Sequence, residues 1–131
     1  MGRGLEAYGA LVLRIFLGVI YMAHAYLALF VMGPAKAIEY QRAIHIPLPE
    51  IGAWYLILAH GLGGLLLILG IMVRWAALAN ILIIAGALWF VHLPQGFFIF
   101  GGKNGYEYVL FLLGATIAQA LLGAGAFTFR K

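Results

Sequence analysis

Arg14, His24, His60, His92 and Glu107 stand inside or at the ends of apolar runs in a chain that is otherwise close to pure hydrocarbon. Lipid cannot solvate a charge, so ionisable groups in such runs face a partner, a ligand or water. Imidazole and carboxylate can exchange protons, hydrogen-bond a ring ligand or hold a metal ion, and a guanidinium can orient a carbonyl. These residues are the candidates for function.

Helical rise converts their positions into depth. At about 1.5 Å per residue, Arg14 lies roughly 9 Å and His24 roughly 24 Å from the start of the first apolar run. His60 falls near the middle of the second run, while His92 ends the third and Glu107 begins the fourth. His24, His92 and Glu107 therefore form an outer layer with His60 just below, and Arg14, Asn80 and Gln119 form an inner one. Arg14, Gly18, Tyr21, His24, Ala25 and Ala28 share one face of the first helix, and Ala53, His60, Gly63, Gly64 and Leu67 share one of the second. Stripes of small and polar residues are interior faces, and His60 is expected to point inward against glycines.

Three chemistries fit these groups. A quinone pocket needs an apolar slot with donors such as Arg14, His24, His60 or His92 at its carbonyls, and Tyr106 and Glu107 beside them as proton-relay candidates. A metal site could draw on His24, His60, His92 and Glu107, although no two histidines have ligand spacing on one helix. A haem could take His24 with His92 as axial ligands. The plain alternative is that each group satisfies the backbone, caps a helix or, for Arg14, snorkels to the headgroups.

The elements that position these residues follow from composition. Of 131 residues, 66% are hydrophobic and 9% charged, against roughly 25% charged in an ordinary soluble domain. Four apolar runs, at about 8–31, 51–72, 76–93 and 106–127, have the roughly 20 residues that a bilayer requires. The expected fold is all-α: a polytopic membrane protein with a four-transmembrane-helix bundle, forming one domain over residues 1–131. Only Val73, Arg74 and Trp75 separate the second and third runs, which makes them an antiparallel hairpin. Arg3 and the Ala23-His24-Ala25 triplet outline a secretory signal, but the run continues to Val31 and Arg14 interrupts it, so a retained first span is expected.

The first outer loop, about 32–50, carries Gly33-Pro34 and a short amphipathic segment, with Glu39 placed to pair with Arg42. This reads as a short helix lying at the membrane interface. The second outer loop, Leu93 to Gly105, mixes glycines with Phe97, Phe98 and Phe100, which would pull it onto the bundle as a lid. Aromatics including Trp54, Trp89, Phe97 and Phe98 concentrate toward this outer side, as pocket walls or a partner surface. Arg3, Arg74, Arg130 and Lys131 on one side against Lys36, Arg42 and Lys103 on the other place both termini in the cytoplasm by the basic-residue bias.

A net charge of +4 spread along the chain forms no patch that could track a nucleic acid. Without cysteine the chain has no thiol chemistry of its own, so redox work would use a cofactor, a metal or a partner.

The chain resembles the DoxX family of small four-span membrane proteins. The resemblance runs through Leu13-Arg14 with Leu17-Gly18, Ala23-His24, Ile46-Pro47-Leu48-Pro49, Gly63-Gly64 to Leu69-Gly70 with Arg74, Val91-His92 to Gly96-Phe97-Phe98, and Gly105-Tyr106-Glu107. It implies a redox-associated subunit of a prokaryotic cytoplasmic membrane, interacting with quinone or an oxidoreductase partner, and an accessory subunit more than a self-sufficient enzyme. A non-enzymatic assembly or scaffold subunit and a metal-handling membrane protein are the alternatives, and homo-oligomerisation stays open. Two departures stand out. His60 replaces the acidic residue many relatives carry before the paired glycines, and Gly123-Ala124-Gly125 replaces their Gly-Pro-Gly ending. The first removes a carboxylate that could have paired with Arg14.

Overall fold

The structure, a computed structural model, describes residues 4–129. Helix α1 (Leu5–Tyr26) runs on through a π-helical segment, Leu27–Met32, and α2 (Pro34–Ala43) follows a break at Gly33. Helix α3 spans Pro49–Leu69, and α4 (Val73–Ala87) continues through a second π-helical segment, Leu88–His92, and a 3-10 turn, Leu93–Gln95. A two-stranded ribbon, β1 (Ile99–Phe100) and β2 (Lys103–Asn104), leads to α5 (Glu107–Leu122).

Three helical stretches, Leu5–Met32, Pro49–Leu69 and Val73–Gln95, are long and apolar enough to cross a bilayer. Helix α5 is apolar but has 16 residues, about 24 Å of rise against a hydrocarbon core of about 30 Å. It ends early because Gly123 adopts φ 77° and turns the chain. The predicted run to residue 127 is thus divided into helix and tail, and the tail folds back: Ala126 N–H donates to the Ala7 carbonyl and Phe129 N–H to that of Leu69, each at 2.9 Å.

The α3–α4 hairpin forms as its short connection demands, although the link is Gly70 to Met72, three residues earlier than read from the sequence. Gly70, at φ 75°, closes α3, with Gly70 N–H donating to Leu67 and Ile71 N–H to Leu66. This double bond pattern caps a helix only when the turning residue tolerates the left-handed region.

Inside the bundle many of the buried residues are small or polar, Ala10, Gly18, Ala25, Ala53, Gly63, Gly64, Ala76 and Ala77 alongside Arg14, His60, Asn80, Thr116 and Gln119, packed around an apolar cluster that includes Leu17, Tyr21, Leu67, Ile84, Val109 and Leu112. Phe16, Val19, Leu62, Leu82, Phe111 and Leu121 lie outside. That is the distribution lipid imposes, because hydrocarbon gains nothing from hiding a leucine and close packing must come from small residues. α1 packs most extensively on α3, and α4 on α5. A Cβ added at Gly18 would come 2.7 Å from the Gly64 carbonyl oxygen, and one at Gly64 would come 2.9 Å from that of Gly18.

Two loop expectations are corrected. Arg42 pairs with Glu50 at 2.7 Å, not with Glu39, so this pair links α2 to the start of α3. The second outer loop is held to the bundle through its backbone, by the Asn104 carbonyl to His92 and by Ile99 N–H to Glu107, and not by its phenylalanines. Its tight turn, with Gly101 and Gly102 both at positive φ, leaves Phe98 68% and Phe100 83% exposed.

Candidate functional site

His60 lies in the fourth turn of α3, and Asn80 faces it from α4 at the same depth. Asn80 Nδ2 donates to the carbonyls of Ala59 and Ala76, both at 2.9 Å, so Oδ1 is the atom that meets His60 Nδ1 at 2.6 Å. Reversing the amide would set its oxygen against two carbonyl oxygens. Nδ1 therefore carries the hydrogen. His60 is 4% exposed, and among the described residues the one salt bridge is Arg42–Glu50. A charged ring here would be buried without a counter-ion, so the imidazole is neutral and Nε2 bears a lone pair. Gly63 makes the arrangement possible, since a Cβ there would come 2.7 Å from Asn80 Nδ2.

The His60 ring stacks on Tyr21 of α1, with centroids 4.9 Å apart and planes 15° from parallel. Tyr21 is held at its far end: Thr116 Oγ1 donates to the Leu112 carbonyl at 2.7 Å, so the Tyr21 hydroxyl must donate to Thr116 Oγ1. Asn80, His60, Tyr21 and Thr116 thus connect α4, α3, α1 and α5 through one buried set of contacts. The ring orientation of His60 is fixed on two sides.

This pair forms a wall of a cavity of about 720 Å³ in the outer half of the bundle, within the range that holds a small organic ligand. Its lining is mainly aliphatic, from Leu27 and Ala28 of the first π-helical segment, Ala53 and Leu56 of α3, Ile83 and Ile84 of α4, and Phe90 and Val91 of the second π-helical segment. Helix α2 contributes Ala37, Tyr40 and Gln41, Ile44 follows at its C-terminal cap, and α5 contributes Tyr108 and Val109. Both π-helical segments reach this space, and such segments occur disproportionately at functional sites. His24 lines it too, its ring 6.2 Å from that of His60.

Gln41 carries a polar atom in the cavity wall that nothing among the described residues satisfies. It is 6% exposed, and its Oε1 has no hydrogen-bond partner. Its amide lies against Gly52, where any Cβ would overlap it. Gln119 Oε1 is also buried without a partner. However, its Nε2 is anchored to the carbonyls of Ala10 and Gly123, and Gln119 is not among the residues lining the cavity.

The other expected site residues lie elsewhere or are already occupied. Arg14, fully buried, is engaged by five backbone carbonyls: Nε with Ala124 at 2.9 Å, Nη1 with Leu67 at 3.0 Å and Ile68, and Nη2 with Ala126 at 2.8 Å and Phe127. A guanidinium has five N–H donors, and five acceptors leave none for a ligand. Arg14 instead ties α1 to the end of α3 and to the tail. His92 lines the cavity, with Nδ1 donating to the Asn104 carbonyl at 2.9 Å. Glu107 accepts from Ile99 N–H at 2.8 Å, which joins the ribbon to α5. Tyr106 packs edge-on against Phe97 with centroids 5.3 Å apart. Tyr106, Trp54, Trp89, Phe97 and Phe98 do not line the cavity; Trp54 edges a shallow surface hollow. Asn80, assigned by depth to the inner layer with Arg14, pairs with His60. Among the described residues no three His, Asp or Glu side chains gather as a metal site would need, so His24, His60, His92 and Glu107 do not form a ligand set.

The family model described as DoxX matches residues 9–93, about two thirds of the chain, from the second turn of α1 to the 3-10 turn that follows the second π-helical segment. The chain belongs to the DoxX family. No curated protein and no solved structure matches it. In this DoxX protein Asn80 supplies the partner that the His60 imidazole needs, and the Arg14 charge is solvated by carbonyl dipoles without a carboxylate. Sequence reasoning passed over Gln41 and Tyr108 and did not join Asn80 to His60. The available signal for Gln41 was its spacing, because Ala37, Gln41 and Ile44 recur at helical intervals on one face of α2.

Proposed function

We propose that this membrane protein is a redox-associated accessory subunit that binds a quinone-class ligand in the outer-half cavity. The observation that carries the reading is the cavity itself. It has the size for a substituted ring, largely aliphatic walls for an isoprenoid-bearing molecule, and a few polar groups, His24, Gln41 and His60, at fixed places. A neutral ligand from the lipid phase suits it better than an ion, since no formally charged side chain lines it.

In this reading α5 is a short fourth span whose length is completed by the clamped tail, and α2 lies at the outer interface and roofs the cavity. The whole chain is one domain. The membrane is the prokaryotic cytoplasmic membrane, with both termini on the cytoplasmic side. The partner is a membrane-bound or peripheral oxidoreductase. Arg74 supports this orientation; Arg3, Arg130 and Lys131, which complete the basic bias, lie outside the described residues.

Binding of a short-chain benzoquinone to the full chain in lipid nanodiscs tests the reading. The wild type binds with one-to-one stoichiometry, and Ala53→Phe, which fills the cavity from a buried wall position, weakens binding at least tenfold while the protein stays folded by circular dichroism. Unchanged affinity in a folded Ala53→Phe protein would remove the cavity from the account. A stoichiometric protein partner with no bound ligand would favour the assembly-subunit alternative.

A further inference from the structure

We propose that the cavity discriminates the oxidation state of its ligand and takes the reduced, hydroxyl-bearing ring in preference to the dione. The inference rests on the quinone-class reading and deepens it. Asn80 fixes His60 with hydrogen on Nδ1, so the ring nitrogen left for a ligand is an acceptor. An acceptor needs a donor opposite it, and a quinol hydroxyl supplies one where a quinone carbonyl cannot.

His60 cannot adapt. Flipping the ring would break the Asn80 bond, tilting it would lose the stack on Tyr21, and turning Asn80 would lose two backbone bonds. Gln41 supplies the second contact. Gln41 lines the cavity with its Oε1 unpartnered and turned against Gly52, so nothing holds the amide there, and rotated toward the ligand it accepts from a second hydroxyl or donates to a carbonyl and anchors either form. The discrimination therefore sits at His60 and the anchoring at Gln41. A buried acceptor left facing another acceptor loses enough to set the two affinities about tenfold or more apart. For a two-electron couple, each tenfold preference raises the potential of the bound ligand by about 30 mV.

Anaerobic titration of the full chain in nanodiscs with a short-chain benzoquinone, and separately with its quinol, measures the ratio directly on the wild type. The expected result is quinol bound at least tenfold more tightly. His60→Gln, whose amide can present either end, is expected to bring the two affinities within about threefold. Gln41→Leu is expected to weaken both forms and leave their ratio in favour of quinol. Equal affinities in the wild type, or tighter binding of the quinone, would overturn the inference while leaving the cavity reading intact. Failure of both forms to bind would overturn the two together. A folded His60→Gln protein that keeps the wild-type ratio would show that His60 is not the discriminating group.

Discussion

Arg14 is the residue whose physics is most completely determined. Removing it would leave five backbone carbonyls at the end of the bundle without their donor, and each buried acceptor so exposed costs about 1–3 kcal/mol. Arg14→Ala is therefore expected to destabilise the protein by more than about 3 kcal/mol, even after partial relaxation. Arg14→Lys restores the charge but offers three donors on a point-like head, so it should recover less than half of that loss. Tryptophan-fluorescence melting in detergent checks both, and a Lys variant as stable as wild type would contradict the five-bond account. Glu107 gives the opposite expectation. An amide oxygen can accept from Ile99 as a carboxylate does, so Glu107→Gln should leave ligand binding unchanged within about twofold, whereas a proton relay would lose activity. The contrast between these residues shows where sequence reading succeeds. That Arg14 and His60 are buried was legible, because ionisable groups in apolar runs have to be inside. Which carbonyls or amides would meet them was not, since those partners come from residues 20 to 113 positions away and from a tail that folds back. Depth counting placed Asn80 with Arg14 because it carries an error of several residues at each helix edge, enough to move a side chain by a full turn.

At the level of elements, α1 and α3 touch through Gly18 and Gly64, and lipid provides no hydrophobic drive to force them together. Gly18→Leu or Gly64→Leu should separate the helices and cost about 1–3 kcal/mol or more through overpacking. Gly114 in α5 has open space around it, so Gly114→Ala should be neutral or stabilising by up to about 1 kcal/mol through helix propensity alone. Melting temperatures of the three variants test this. A Gly18→Leu protein as stable as Gly114→Ala would mean that the α1–α3 approach is looser than described. The glycine stripes were readable in the sequence as interior faces, and so was α2 as a short helix after Gly33-Pro34. The ribbon was not, because its two-residue strands carry no periodicity and its phenylalanines suggested burial. Local backbone geometry at Gly101 and Gly102 turned them outward instead. The early end of α5 was hidden for a similar reason, since Gly123 continues an apolar run and its turn shows only in the backbone angle.

The whole molecule combines an inner end closed by Arg14 and the tail with an outer half opened around a cavity. Class and family could be read from composition and from the order of short motifs. The cavity could not, because it is made by five helical segments meeting around residues that look like ordinary lipid-facing leucines, isoleucines and alanines. Its two most informative groups, Gln41 and the tautomer-fixed His60, acquire meaning only when α2 is seen roofing α3. The division predicts that the two ends are separable: Arg14 variants should change stability with little effect on the affinity of the protein that remains folded, and Gln41→Leu should change affinity with little effect on stability.

The central claim is that a ring ligand occupies the space between α2 and His60. Photo-crosslinking of the full chain in nanodiscs with a photoactivatable benzoquinone, followed by peptide mapping, tests it most directly. The account predicts adducts on α2 around Ala37 to Ile44 and on α3 around Ala53 to His60, suppressed by excess unlabelled quinol. Labelling that resists competition, or that falls only on outward residues such as Phe16, Phe111 and Leu121, would contradict it.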